Sequence, residues 1–377
     1  MSKANVEEKL RIVLNNVAEP IEEFAITVDD IRKLLESREH PISYIGYEPS
    51  GPIHIGYLPG IEKLIELSRI GFKTKILLAD LHAYLNKKGP LDIIRDASLT
   101  YWTEIFKALG AGSAEYVLGS DMELTREYIE DLFTLSIRIS VHEAWRAMAI
   151  IAREAENPVV GQYVYPIMQI LDILYLDVDL AIGGTDQRKI HVLAREEFSK
   201  KELKLHCKVK VPSSIHLPIL IGLTGEKMSS SKPKTHIAVH ERPETISRKI
   251  RTAYCPRDNT KPEENPIFGI LRYIIFPYAG EIYIKREEKY GGDIKYTNYN
   301  ELERDYLNGK LHPQDLKNAV AEFLIERLKR ARNRIEEDPD ILKSLARLQK
   351  WQWEHGFLDK AGWEAIKKEY GYYGIKV

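Results

Sequence analysis

Three groups of residues in this chain could do chemistry. Lys227-Met228-Ser229-Ser230-Ser231-Lys232 sets two amines around three hydroxyls, between glycine-rich Gly222 to Gly225 and Pro233. So short a loop gains nothing in packing from such residues, which leaves a solvated charged loop or a contact to an anion. The stretch from Tyr44 to Gly60 reads Tyr-Ile-Gly-Tyr-Glu-Pro-Ser-Gly-Pro-Ile-His-Ile-Gly-Tyr-Leu-Pro-Gly. A helix beginning near His54 would aim its free N–H groups and positive dipole end at the preceding loop, where a phosphate is best held. Gly51 and Gly56 would let a charged ligand approach the backbone without meeting a Cβ. Taken alone, an ordinary strand-to-helix turn reads the same way. Third, Tyr165, Gln169 and Asp172 fall at i, i+4 and i+7, on one face of an otherwise apolar helix. A buried carboxylate is costly unless hydrogen-bonded, so this stripe is either satisfied inside the protein or faces a ligand pocket.

These groups need elements to position them. An apolar run up to Ile45, then glycines and prolines, then periodic Leu58, Ile61, Leu64, Ile65 and Leu67 predict strand, turn and helix. Lys75 to Asp80, Tyr116 to Gly119 and Ala181 to Gly184 read as further short strands, with His82 in a loop and a long helical stretch from Leu91 to Leu109. Such alternation implies an α/β fold with a Rossmann-like parallel sheet and ligands at the strand C-termini. Pro166 suits a first helical position, and Ile167 to Leu176 are apolar nearly all round, so that helix should be buried. Residues 5 to 17 have helical spacing, and Thr27 to Asp29 can cap a helix from Asp30 to Leu35. Glu123 to about Ala155 is strongly helical and interrupts the alternation; its Arg138, Arg146 and Arg153 read as a solvated face. After Pro233 the chain turns helical, over Glu241 to Ala253, Ile267 to Phe276, Glu301 to Leu307 and Leu316 to about Ile335. The basic end at Arg327, Lys329, Arg330, Arg332 and Arg334 reads as solvated. The tail from Ile341 carries Trp351, Trp353, Trp363, Tyr370, Tyr372 and Tyr373, a density that favours docking onto the parent domain over stacking on bases.

With 377 residues and a net charge of −1, the chain has room for two domains and is no general polyanion binder, so any nucleic-acid surface must be a local patch. Cys207 and Cys255 lack metal-ligand spacing and predict free thiols in a reducing cytoplasm, although a single bridge stays open. No stretch approaches the roughly twenty apolar residues of a membrane span, and the expectation is a soluble cytoplasmic protein with no dedicated metal site. Abundant Lys, Arg and Glu with few Met and Cys are compatible with a thermophilic source.

A His-x-Gly turn at a first helix, joined much later by Lys-Met-Ser-Ser-Ser, resembles the paired signature of class I aminoacyl-tRNA synthetases. The ordered set of Tyr44 to Gly51, Leu78 to Ala83, Tyr165 to Gln169, Asp186 to Lys189 and His312 to Ala321 is similar to the archaeal type of tyrosyl-tRNA synthetase, over roughly residues 5 to 335. The resemblance implies a Rossmann-like catalytic domain over 1–235, with a helical insertion at about 122–160 that makes a homodimer interface and touches the acceptor stem. A helical anticodon-binding domain over 236–340 and an extension of unassigned role over 341–377 follow. It further implies activation of tyrosine with ATP and Mg²⁺, then transfer to tRNA(Tyr). His54, Lys227 and Lys232 map as catalytic. Gly46, Glu48, Gly56, Tyr57, Met228, Ser229 and Ser230, with His54, map to ATP. Tyr44, Leu77, Tyr165, Gln169, Asp172 and Gln187 map to tyrosine, and Arg146, Arg188, Tyr290, His312 and Asp315 to tRNA. Tyr57 departs from the family's second histidine: a phenol can donate a hydrogen bond but carries no positive charge. Two other readings remain, a tryptophanyl enzyme of the same fold and a non-catalytic RNA-binding or signalling paralogue. A Tyr44–Asp172 pair suited to a phenol speaks against the first, and the intact Lys227 to Ser231 against the second.

Overall fold

The computed structural model describes residues 3–148, 157–226, 228 and 232–377. The chain divides into two compact units, Met1–Ser50 with Gly60–Pro218, and Gly51–Pro59 with Ile219–Val377.

The first unit is built on a six-stranded sheet. Its strands are β1 (Ala25–Ile26), β2 (Ile42–Tyr47), β3 (Lys73–Leu78), β4 (Glu115–Leu118), β5 (Leu180–Gly184) and β6 (Ser213–Leu217), in the order β1-β6-β5-β2-β3-β4. All neighbours run parallel except β1 against β6. β2 is the central strand, pairing Tyr44 with Lys75 on one side and with Ala181 on the other. The chain winds one way from β2 to β3 and β4, and the other way from β5 to β6. The order therefore reverses between β2 and β5, and ligands of open α/β sheets bind at such a switch point, beyond the strand C-termini. Glu48 follows β2 there, and Asp186 and Gln187 follow β5.

Four strands lie where hydrophobic runs predicted them, but β1 and β6 escaped detection. β1 has two residues, and β6 (Ser-Ser-Ile-His-Leu) is broken by polar side chains that are nonetheless buried. Thr27 caps its helix as predicted, its side chain accepting from the N–H of Asp30 at 3.2 Å; that helix covers Val28–Ser37. His82 stands in a helix, Asp80–Leu85, rather than in a loop. The Asp80 carboxylate accepts from the Ser120 N–H (2.8 Å) and hydroxyl (2.6 Å), tying the end of β3 to the end of β4, and this non-local bond starts a helix that local spacing did not announce.

The apolar helix runs from Val160 to Tyr175, so Pro166 lies inside it and not at its start. An interior proline forfeits a backbone hydrogen bond and strains the turn before it, at about 3 kcal/mol. The extra turn is capped by Gln162, whose fully buried side chain accepts from the Val159 N–H at 3.1 Å. The helical stretch from Glu123 is interrupted, with helices at Gly119–Glu123, Arg126–Ser136 and Val141–Met148; its last part, including Arg153, falls outside the described residues.

In the second unit, helices Pro243–Thr252, Pro313–Arg327 and Lys329–Glu337 carry the core. The basic end of the last pair is not one solvated face. Arg332 is buried and donates to the Ile325 carbonyl, and the Arg327 guanidinium lies 4.6 Å over the Tyr278 ring.

The tail forms helices Asp340–Glu354 and Lys360–Tyr372 and docks on its own unit. Trp363 and Tyr370 are buried, Trp353 stacks on Trp363 at 5.3 Å, and the Tyr373 hydroxyl donates to the His240 carbonyl at 2.6 Å. Glu369 accepts from Arg242 and, at 2.7 Å, from Thr245. Burial acts to raise the Glu369 carboxyl, but the bonds from Arg242 and Thr245 outweigh it and hold it below the usual carboxylate range. A cleft of about 750 Å³ lies beside these contacts, lined by Lys232, Lys234, Arg248, Asp359 and Lys368 among others. Cys207 and Cys255 are both free. Among the described residues no helix is long and apolar enough to cross a membrane.

Candidate active site

In the first unit, four of the six residues assigned to tyrosine are buried, namely Tyr44, Leu77, Tyr165 and Asp172, while Gln169 and Gln187 are half-buried. Tyr44 and Leu77, on adjacent strands, share a core cluster with Tyr165, Met168 and Tyr128 from the helices. Tyr44 is 1% exposed and Asp172 is fully buried. Asp172 Oδ1 accepts from the Tyr128 hydroxyl at 2.6 Å, while Oδ2 has no hydrogen-bond partner among the described residues. Burial first, and then the charge of Asp172, push the Tyr44 hydroxyl far above its ordinary value; a hydrogen bond with Gln169 acts the other way. A phenol so placed stays protonated and can donate.

One turn earlier along the same helix stands a second polar cluster. The Tyr165 hydroxyl donates to Glu48 Oε1 at 2.7 Å, and Asn86 donates to the same oxygen at 3.1 Å. Gln169 Nε2 donates to Gln187 Oε1 at 2.9 Å, and Gln187 Nε2 reaches Asp186 Oδ1 at 3.4 Å. Gln169 Oε1 is buried without a partner among the described residues. Acceptors and carboxylates outnumber cations here, which suits an ammonium group. Gly46 lies between, where a Cβ would stand 3.7 Å from the Tyr44 ring and 3.8 Å from Leu77.

The second unit sets the His54 turn beside Met228, the one described residue of the Lys227 to Ser231 motif, and against the segment that follows the loop. Residues 53 to 55 run as an extended segment against 237 to 239. Ile55 N–H donates to the Ile237 carbonyl (3.0 Å), Val239 N–H donates to Ile53 (2.9 Å), and His54 bridges Ala238. His54 caps a 3-10 turn, Ile55–Tyr57, which leads into helix Leu58–Arg69. Its Nδ1 accepts from the Gly56 N–H at 3.1 Å, so the ring proton resides on Nε2. At Gly56 an added Cβ would stand 2.8 Å from the His54 ring and 3.1 Å from Met228 Sδ, so only glycine fits. Tyr57 lies 4.5 Å from the His54 ring and His236 lies 5.1 Å from it, centroid to centroid. Burial, with the nearby Lys249 charge, pushes His54 down to about 3.

Lys249 steadies the segment after the loop by donating to the carbonyls of Pro233 (2.6 Å) and His236 (2.8 Å) and to Glu241 (2.5 Å). Lys232 is exposed, with Glu226 at 3.4 Å. Lys227, Ser229 and Ser230 lie outside the described residues.

The residues mapped to tRNA are distributed. Arg146 is exposed on helix Val141–Met148, and Arg188 donates to the Glu23 carbonyl at 2.9 Å. In the second unit His312 caps helix Pro313–Arg327, accepting from the Gln314 N–H at 3.1 Å, with Asp315 in the first turn. Tyr290 is 62% exposed, with Lys289 4.8 Å over its ring. Sequence reasoning missed Tyr128 and gave no role to His82 or Glu123, all fully buried within reach of Asp172. Only the motif Leu78 to Ala83 hinted at His82.

Among the described residues, His82, Glu123 and Asp172 form a cluster with ligand atoms within 4.8 Å of one another. An imidazole between two carboxylates is not the all-oxygen octahedral set that Mg²⁺ demands.

The family model for tRNA synthetases class I (W and Y) matches residues 36–329. A protein of Methanopyrus kandleri named tyrosine–tRNA ligase is 46% identical over 334 residues, covering 88% of this chain and 98% of that one. The crystal structure of tyrosyl-tRNA synthetase complexed with L-tyrosine from Archaeoglobus fulgidus is 44% identical, with a TM-score of 0.80, over 88% of this chain and 99% of the other. That from Pyrococcus horikoshii, also complexed with L-tyrosine, has a TM-score of 0.83 at 33% identity, over 91% and 99%. A turn of His54 and Gly56 packed beside Met228, a parallel sheet with its switch point at Glu48 and Gln187, and these likenesses place the chain among the class I tRNA synthetases of the W and Y group, in the branch of the tyrosine–tRNA ligases.

Proposed function

We propose that the chain activates L-tyrosine with ATP to tyrosyl-adenylate and pyrophosphate, and then transfers tyrosine to the 3′ end of tRNA(Tyr). The observation that carries the choice of amino acid is Asp172 Oδ2, a buried carboxylate oxygen without a hydrogen-bond partner among the described residues and within electrostatic reach of Tyr44. A phenolic hydroxyl would donate to Asp172 and accept from Tyr44. An indole offers a donor but no acceptor, and phenylalanine offers neither. Leu77 would line the ring, and the ammonium would meet Tyr165, Gln169 Oε1 and Gln187.

Activation is an in-line attack of the substrate carboxylate on the α-phosphorus, which needs positioning and charge stabilisation but no protein nucleophile. The His54 Nε2–H, the N–H groups around Gly56, and Lys227 would stabilise the charge that develops on the phosphate. Lys232 would serve the pyrophosphate, while Gly46, Glu48, Tyr57, Met228, Ser229 and Ser230 would complete the ATP contacts. ATP would bring Mg²⁺ held by phosphate oxygens and water. The decisive experiment is ATP–pyrophosphate exchange without tRNA, offering tyrosine, tryptophan and phenylalanine separately. Exchange with tyrosine alone is expected; exchange with tryptophan would overturn the pocket, and none at all would favour the RNA-binding paralogue.

For tRNA, Tyr290 and His312 would sandwich the first anticodon base and Asp315 would accept from its edge, the usual way a splayed base is read. Arg146 and Arg188 would meet the acceptor end. Asp315→Ala is expected to slow transfer at subsaturating tRNA about 5- to 150-fold, since each such edge contact is worth about 1–3 kcal/mol. Exchange should be unaltered, and equal loss in both assays would refute an anticodon role. In this reading 1–235 is the catalytic domain, 236–340 the anticodon domain, and the helices within 122–160 the dimer contact. That contact is supported by Phe133, Ile137, Val141 and Val160, all apolar and 66–88% exposed. Sedimentation equilibrium is expected to read twice the chain mass, and Ile137→Asp to shift it toward the monomer; a wild-type monomer at micromolar concentration would refute the contact.

A further inference from the structure

The reading of Asp172 leaves unexplained why it is accompanied by two further ionisable side chains that water does not reach. His82, on helix Asp80–Leu85, has its side chain 2% exposed, and Glu123, closing helix Gly119–Glu123, has its side chain fully buried. The imidazole stands between the carboxylates. Nδ1 lies 3.2 Å from Glu123 Oε1 and Nε2 lies 3.5 Å from Asp172 Oδ2. None of these atoms has a hydrogen bond of good geometry to another described residue, so the three satisfy one another by charge. The array has its own supports. The Tyr165 ring meets the imidazole edge-on at 4.6 Å and 89°, and Tyr128 holds the far oxygen of Asp172. At Gly119 a Cβ would stand 2.6 Å from Glu123 Oε1, so the glycine makes room for that carboxylate.

An isolated carboxylate in such surroundings takes up a proton rather than stay charged. We propose that His82 is a positioning residue for tyrosine recognition: its imidazolium, held by Glu123, supplies the counter-charge that keeps Asp172 Oδ2 in place as the acceptor for the substrate hydroxyl. This rests on the assignment of Asp172 to that hydroxyl. The electrostatics agree with the geometry. Burial works to lower His82, but the charges of Glu123 and Asp172, with a smaller one from Glu48, outweigh it and push it up to about 9. On balance Asp172 is pushed up to about 8, by burial first and then by Glu123, with His82 and Tyr128 pulling it the other way, so without His82 it would rise further. A bound phenol donating to Asp172 would act in the same sense as His82, favouring the carboxylate. The other titratable groups facing the array are Tyr44 on β2, Tyr128 on the neighbouring helix, and Tyr165 with its partner Glu48; all three phenols are held protonated by burial.

The sign follows from this arrangement. A histidine raised above its ordinary value keeps its charge until pH exceeds the raised value, so tyrosine recognition should fall as pH rises through about 9. Without the imidazolium, two buried carboxylates face each other and Asp172 holds a proton.

The test is kcat/KM for tyrosine in ATP–pyrophosphate exchange from pH 6 to 10, for the wild type, Glu123→Gln and His82→Asn. Removing the Glu123 charge should bring the alkaline limb down by about one to two pH units, the usual effect of one opposite charge at this range. His82→Asn should abolish the limb due to this group and raise KM for tyrosine about tenfold, with KM for ATP unchanged. The substrate's own amine and phenol titrate alike against every variant, so the displacement isolates His82. A merely structural His82 would lower Tm and leave the limb in place. A limb unmoved in Glu123→Gln overturns the proposal, and that near-isosteric variant decides alone should His82→Asn fail to fold. Asp172→Asn separates the two levels. If it leaves selection of tyrosine over phenylalanine intact, the pocket assignment has failed; if it destroys selection while the limb stays fixed, only the role of His82 has.

Discussion

Asp172→Asn is expected to lower kcat/KM for tyrosine in ATP–pyrophosphate exchange about a hundredfold, and to leave the trace activity with phenylalanine nearly unchanged. The substitution preserves shape and keeps an oxygen for the Tyr128 hydroxyl, but removes an anionic acceptor. A hydrogen bond to a buried charge contributes about 1.5–3 kcal/mol net. Selection should fall by the same factor, because a substrate without a hydroxyl never used that acceptor. Sites built to bond a hydroxyl reject its absence by about 10⁴–10⁵, and the tyrosyl enzymes are themselves the known case for that figure. Equal loss with both amino acids would place Asp172 in the scaffold and not in the selection of substrate.

His54→Ala should lower kcat of the activation step by about 10²–10³, the usual loss when one preorganised donor to a developing charge is removed, with KM for tyrosine unchanged. The structure narrows how His54 acts. It is pushed down to about 3 by burial and by Lys249, so the ring is neutral at every working pH, and Nδ1 is occupied by the Gly56 N–H. What remains is one Nε2–H donor. The pH profile between 5 and 8 should therefore show no limb belonging to His54; a limb that vanishes in His54→Ala would mean that the charged ring is the active form. The same result bears on Tyr57. If the first histidine of the motif works as a neutral donor, a phenol at the fourth position, 4.5 Å away, forfeits less than a charge comparison implies, since it too donates one hydrogen bond.

The motif residues were legible because each is a backbone or chemical necessity written locally. Gly56 must be glycine, since a Cβ would meet the His54 ring; Thr27 caps its helix, and the runs at β2 to β5 are apolar at strand length. The stripe of Tyr165, Gln169 and Asp172 was visible as a helical period, though local rules misplaced the start of its helix. They stopped at Pro166, whereas the helix begins at Val160, where the Gln162 side chain bonds the Val159 N–H. β6 stayed hidden because its serines and histidine read as surface, yet the sheet buries them.

Periodicity and motif order were enough to settle the parallel-sheet class and the synthetase family, and to propose the residues set against tyrosine, since those signals lie within a few turns of chain. Three-dimensional packing was needed to join residues 53–55 to 237–239, to bring His82 and Glu123 against Asp172, and to fasten Glu369 on Arg242. The physical reason is that the charge state of a buried group depends on neighbours that are distant in sequence. Glu123 and Asp172 stand 49 positions apart in sequence and one imidazole apart in space, and it is the spatial distance that enters their electrostatic energy.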